Sequence, residues 1–138
     1  MANVSLARGL RLNDAGLAYA RMLARYLSHN ELPEHFGSEG RFERNVKSVQ
    51  AGIWKMHVRL LGESGWLKNV RQHDRKSDNF LIYAQHWDCR DFYQIVAILS
   101  PDAHATVDGI LPALIDHVED EFQSFNEREL KELLNVSS

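Results

Sequence analysis

Three strand-like runs in the middle of the chain constrain its fold most: IWKMHVRLL (53–61), FLIYAQHW (80–87) and FYQIVAIL (92–99). In the first, a period of two puts Ile53, Lys55, His57, Arg59 and Leu61 on one face and Trp54, Met56, Val58 and Leu60 on the other. The second face is apolar and is expected to lie on the core, while the first presents Lys55, His57 and Arg59 in a row. In the next run Phe80, Ile82 and Ala84 alternate with Leu81, Tyr83 and Gln85. The third run is the most apolar and is expected to be a central strand. GESGW (62–66) and DCRD (88–91) turn the chain between strands, and strands joined by short turns pair antiparallel.

Helical spacing frames this block. Val4, Leu6 and Leu10 suggest a short first strand, and Asn13 or Asp14 suits an N-cap. Leu17, Ala20, Leu23, Ala24 and Leu27 then recur at three and four residues, which predicts a helix to about Ser28. HNELPEHFGSEG (29–40) ends it, with Pro33, Gly37 and Gly40 as breakers, and a short helix is expected over 41–51. Ser100 to His104 break the third run. Ile110, Leu111, Leu114, Ile115, Val118 and Phe122 predict a helix from Val107 to Phe125, with Pro112 near its first turn. NERELKELLN (126–135) suits a short terminal helix. The expected class is α+β: a small antiparallel sheet flanked by helices, in the order strand, helix or helices, three strands, C-terminal helix. The expected organisation is one domain over 1–138, with 117–138 as an acidic helical C-terminal tail.

The net charge of −3 hides an uneven distribution. Residues 41–76 carry nine Lys/Arg against three acids, a balance of +6, whereas 101–138 carry two against nine, a balance of −7. The basic block is a candidate surface for a polyanion, or a solvated face. The single cysteine, Cys89, excludes an internal disulfide and any CxxC metal site. No apolar run approaches a membrane span and MANVSLARGLRLND has no apolar signal core, so a cytoplasmic location and no membrane partner are expected.

No Gly-rich phosphate loop, GxSxG or HExxH is present, and the seven histidines include no local ligand pair, so neither metal nor cofactor is expected. What remains is a set of His, Arg, Lys and Tyr on or beside three adjoining strands. RNA can be cut without metal when its own 2′-OH attacks the neighbouring phosphate. That step needs a base at the 2′-OH, a donor for the leaving 5′-oxygen and cations on the developing charge. His57 and His73 are candidates for the proton roles, with Tyr83 and His104 as further candidates. Lys55, Arg59, Arg71, Arg75 and Lys76 are candidates for holding phosphate, and Asp78 for orienting an arginine or capping a strand. Trp54, Trp66 and Trp87 suit core packing or base stacking.

Four pieces carry a family resemblance: ELPEHFG (31–37), KMHVRL (55–60), RQHDRKSDNFLIYAQ (71–85) and YQIVAILSPDAH (93–104). In this order and spacing the chain resembles the YafO-type toxins of bacterial type II toxin–antitoxin systems. The resemblance implies a RelE-like mRNA interferase that acts on mRNA at the ribosome and blocks translation, with a neutralising antitoxin as partner. The positions matching the family pattern are His57, Arg71, Gln72, Arg75, Asp78, Tyr83, Pro101 and His104. A metal-independent endoribonuclease is therefore the first expectation, with His57, His73, Arg75, Tyr83 and His104 in the catalytic set. Its alternative is a non-catalytic RNA- or ribosome-binding regulator that uses the same basic face. A third reading is a protein-binding domain whose charged halves pair with a partner of opposite polarity. The acidic tail, outside the resemblance, would cover the basic face, contact the antitoxin or aid solubility.

Overall fold

The computed structural model describes residues 1–10 and 14–138. Among these, six strands form one sheet: β1 (Asn3–Leu6), β2 (Phe36–Gly40), β3 (Ile53–Val58), β4 (Phe80–Gln85), β5 (Phe92–Leu99) and β6 (Val136–Ser137). Their order in space is β2-β3-β4-β5-β1-β6. β1 runs parallel to β5, and the other pairings are antiparallel. The helices are α1 (Asp14–His29), α2 (Val46–Gln50), α3 (Ala103–Val118) and α4 (Glu127–Glu132). This is the expected α+β plan, consistent with a RelE-like architecture. Asp14 opens α1, and the alternative cap, Asn13, lies outside the described residues.

Both faces of the sheet are buried. On one, Ile53, Phe80, Ile82 and Ala84 pack against Val107, Leu111, Ile115 and Val118 of α3. On the other, Met56, Val58, Leu81, Tyr83 and Ile95 pack against Tyr19, Ala20, Leu23 and Ala24 of α1. The apolar face expected on the core is thus in place, but the row of Lys55, His57 and Arg59 is not a solvated stripe. Lys55 and His57 share their face with the fully buried Ile53, while β3 ends at Val58 and the chain departs at Arg59. A bulge in β5 adjusts the same face. Ile82 pairs with Ala97 but Tyr83 with Ile95, so Val96 is the extra residue and both Val96 and Ala97 join the core under α3.

Two strands were not expected. β2, FGSEG, reads as a helix breaker because of its glycines, yet it pairs with β3. Gly37 is there for close approach: a Cβ at this position would come within 2.5 Å of the Arg75 carbonyl oxygen and 2.9 Å of the Arg75 Cβ. β6 has two residues, too few to show a period. The segment 41–51 is helical only over Val46–Gln50, with the Asn45 side chain accepting from the Ser48 N–H. α3 starts at Ala103, four residues before the expected Val107, which places Pro112 inside the helix rather than in its first turn. After α3 a π-helical segment, Glu119–Gln123, leads to α4, which carries a capping box formed by Asn126 and Glu129.

Candidate functional site

The site is built at the end of the β3–β4 pair, where α3 begins. Alternation along β3 places Lys55 and His57 on the α3 side, opposite Ile82 and Phe80 of β4. Phe80 in turn pairs with Leu99, so the residue two before Phe80, Asp78, meets the chain as it leaves β5 and enters α3. There the Asp78 carbonyl accepts the Ala103 N–H at 3.0 Å, and its carboxylate Oδ1 accepts the His104 backbone N–H at 2.9 Å. Asp78 therefore caps the first turn of α3 from the loop that precedes β4. The same Oδ1 lies 2.6 Å from His104 Nδ1, so one carboxylate fixes both the backbone and the ring of His104.

His57 and His104 come together beside the ring of Phe80. Their centroids are 5.7 Å apart, and Phe80 meets His57 at 5.1 Å and His104 at 4.7 Å, edge-on to both. His57 is 7% exposed and His104 61% at its side chain. The Ser77 backbone supports His57 in either protonation state. Its carbonyl lies 2.8 Å from Nδ1 and suits a protonated Nδ1, whereas its N–H at 3.0 Å suits an unprotonated one. His57 Nε2 has no hydrogen-bond partner among the described residues. Burial holds the His57 pKa below the usual histidine value, and the charges of Lys76, Lys55 and His104 act in the same direction against the Ser77 hydrogen bond. Asp78 is held below the ordinary carboxylate range by its two hydrogen bonds from His104.

Two lysines flank the pair. The Lys55 ammonium lies 5.0 Å from the Phe42 ring centroid and 5.3 Å from that of Phe80. Burial, then the nearby Lys76, lowers its pKa, and Glu43 pulls it back up. Lys76 Nζ donates to Ser38 Oγ at 2.9 Å. Lys55, His57, Lys76, Asp78 and His104 thus form one cluster of acid–base groups and cations.

The other residues singled out from the sequence lie elsewhere. Arg75 is 3% exposed and donates to four backbone carbonyls, those of Val70, Pro33, Phe36 and Leu67. It ties the loop before it to the start of β2. Tyr83 is buried on the α1 side, where its hydroxyl and that of Tyr26 donate to the two oxygens of Glu39. Burial, reinforced by Glu39, drives the Tyr83 pKa far above the ordinary phenol value. Arg59 lies over the Trp66 ring at 4.8 Å and donates to the Ser64 carbonyl. Arg71 pairs with Asp74 at 3.1 Å, and His73, 78% exposed, lies 3.2 Å from the same carboxylate. His73 opens onto a separate groove with Tyr26, Glu39 and Gln72. Trp66 is buried, and Trp54 carries the Arg41 guanidinium 4.0 Å above its ring.

Sequence reasoning undervalued Asp78, which binds a histidine rather than an arginine, and missed Phe80 as the ring against which both imidazoles pack. The signal was the β4–β5 hairpin itself, since pairing FLIYAQ with FYQIVAIL brings Asp78 beside the segment after Leu99.

Among the described residues, no helix is long and apolar enough to cross a membrane. The family model described as toxin YafO, type II toxin–antitoxin system, matches residues 24–124, which include every member of the cluster. No curated protein and no solved structure matches the chain.

Proposed function

The chain belongs to the YafO family of type II toxin–antitoxin toxins, and on that premise we propose that it is an mRNA interferase: a metal-independent endoribonuclease that cuts mRNA on the ribosome and stops translation. Its family implies a cognate antitoxin as partner, and the antitoxin holds this activity in check.

The observation that carries the reading is the pair of imidazoles, 5.7 Å apart, between two lysines. His57 acts as the general base. Its lowered pKa keeps it neutral at physiological pH, with Nε2 ready to take the 2′-OH proton. The 2′-oxygen forms a bond to phosphorus as the bond to the 5′-oxygen breaks. His104 gives its Nε2 proton to the departing 5′-oxygen while Asp78 holds Nδ1 and keeps the ring aimed. The products are a 2′,3′-cyclic phosphate and a 5′-hydroxyl. Lys55 and Lys76 supply positive charge to the phosphorane oxygens. With Nδ1 protonated and donating to the Ser77 carbonyl, the lone pair of the neutral ring sits on Nε2, and the same bond holds the ring once Nε2 is protonated. Arg75 and Tyr83, committed to internal partners, act on the fold that holds this cluster.

Primer extension on a defined mRNA in a reconstituted translation reaction, with ribosomes omitted in a control, tests the reading. New 5′ ends that require ribosomes, and that vanish in His57→Ala, are expected. Blocked translation with intact mRNA would overturn catalysis in favour of a binding regulator.

A further inference from the structure

A groove of about 460 Å³ shares only Lys55 with the chemistry above, and its other lining residues have no part in it. It lies between the 41–45 loop and α3, and its walls include Phe42, Glu43, Arg44, Asn45, Lys55 and Asp108. Lys55 joins it to the reaction centre, since its ammonium lies near both Phe42 in the groove and Phe80 beneath the imidazoles. Asp108 follows His104 by four residues on α3, about 6 Å further along the axis and on the same helix face. A strand of RNA with its phosphate at His57 and His104 would bring a neighbouring base to this groove.

The groove is polar in an unusual way. Glu43, Arg44, Lys55 and Asp108 carry both signs of charge into one space, and none of the four makes a hydrogen bond or ion pair among the described residues. Arg41 on the same wall contrasts with them, being tied to the Ile53 and Val49 carbonyls at 3.0 Å each. Phe42, half-buried, adds an aromatic ring to the lining. A carboxylate beside a cation is a pattern that one base edge fits best. Guanine presents two adjacent donors, N1–H and N2–H, which a single carboxylate accepts together, next to an O6 acceptor for a cation. Adenine and cytosine set a donor against an acceptor there, and uracil a single donor between two acceptors, so each leaves a carboxylate or a cation poorly matched.

We infer that this groove is a base subsite that seats a guanine beside the scissile bond, Asp108 or Glu43 accepting from N1 and N2, Arg44 or Lys55 donating to O6, and Phe42 supporting the ring. The inference rests on the endoribonuclease reading and adds a sequence preference to it.

Cleavage profiling separates the two. A reporter mRNA carrying each of the four bases next to otherwise identical cut sites is translated with the full-length protein, and 5′ ends are counted. The wild type is expected to favour guanine by about tenfold, the scale of one bidentate base contact. In the Glu43→Gln, Asp108→Asn double variant, whose two sites are exposed and do not support the core, the preference is expected to fall to about twofold or less. Cutting without base preference by the wild type, or an unchanged preference in the variant, overturns the subsite and leaves the endoribonuclease standing. Failure of the wild type to cut in the presence of ribosomes overturns both.

Discussion

A single oxygen of Asp78 binds His104 twice, at 2.9 Å from its backbone N–H and 2.6 Å from its ring Nδ1. The two bonds serve different ends and can be separated. Asparagine keeps a cap oxygen but removes the charge that faces a protonated ring. Asp78→Asn should therefore retain the thermal midpoint while slowing cleavage on the order of tenfold to a hundredfold. Asp78→Ala should lose both stability and rate. Parallel melting curves and single-turnover cleavage read the two effects, and equal melting losses in both variants would argue that the charge serves only the helix cap.

His57 and Arg75 both match the family pattern, yet their surroundings assign them opposite phenotypes. His57→Ala should abolish cleavage, a loss on the order of a hundredfold or more, and leave a folded protein. Arg75→Ala removes a buried guanidinium and strands four carbonyls, those of Val70, Pro33, Phe36 and Leu67. Its expected cost is about 2–4 kcal/mol of folding stability, read from urea unfolding. A fully folded, inactive Arg75→Ala protein would restore Arg75 to the phosphate site.

The period of two in IWKMHV was enough to place Lys55 and His57 on one face, and the β4–β5 hairpin followed from two such runs joined by a short turn, whereas β3 reaches its antiparallel place beside β4 through the long connection 59–79 rather than a short turn. What lay beyond the sequence was set by non-local contact. Arg75 looks like a phosphate ligand by type, but its burial depends on how residues 67–70 fold over β2. FGSEG looks like a breaker because the reason for Gly37, the approach of the Arg75 backbone, is 38 positions away (75 less 37). Tyr83 alternates correctly on its strand, but its acceptor, Glu39, belongs to that same unforeseen β2. The pairing of His104 with Asp78 needed the register of β4 on β5, including its bulge.

The pH behaviour of His57 follows from its neighbours. Its folded pKa lies below 6.5, the ordinary value, so between the two pH values the folded protein binds fewer protons than the unfolded chain. The stability this group contributes is present above the unfolded value and is lost as pH falls towards the folded one. The same depression sets the acidic limb of cleavage, which should lie below the ordinary histidine range. Lys76→Ala removes a positive charge that opposes protonation, so it should move that limb, and the His57 proton NMR titration, to higher pH. A shift to lower pH would place Lys76 away from His57 and contradict the cluster.

The C-terminal acidic stretch is held by its apolar side chains, and its charge and packing can be tested apart. Phe122 is fully buried against the α3 face of the sheet and meets the His86 ring edge-on at 5.4 Å. Next to it, the Gln123 amide donates to the Ala51 and Gln85 carbonyls at 2.8 and 2.9 Å and accepts from the Trp87 N–H at 2.8 Å. These contacts close the end of β3 and β4 where Gly52, at φ +86°, leaves room for them. Phe122→Ala should cost about 3–5 kcal/mol through lost burial and the cavity it leaves. Asp120→Asn, at an exposed position two residues earlier, should change stability by less than about 0.5 kcal/mol. Chemical denaturation of both variants measures the contrast. A larger loss for Asp120→Asn than for Phe122→Ala would mean that charge, not the buried ring, anchors this segment.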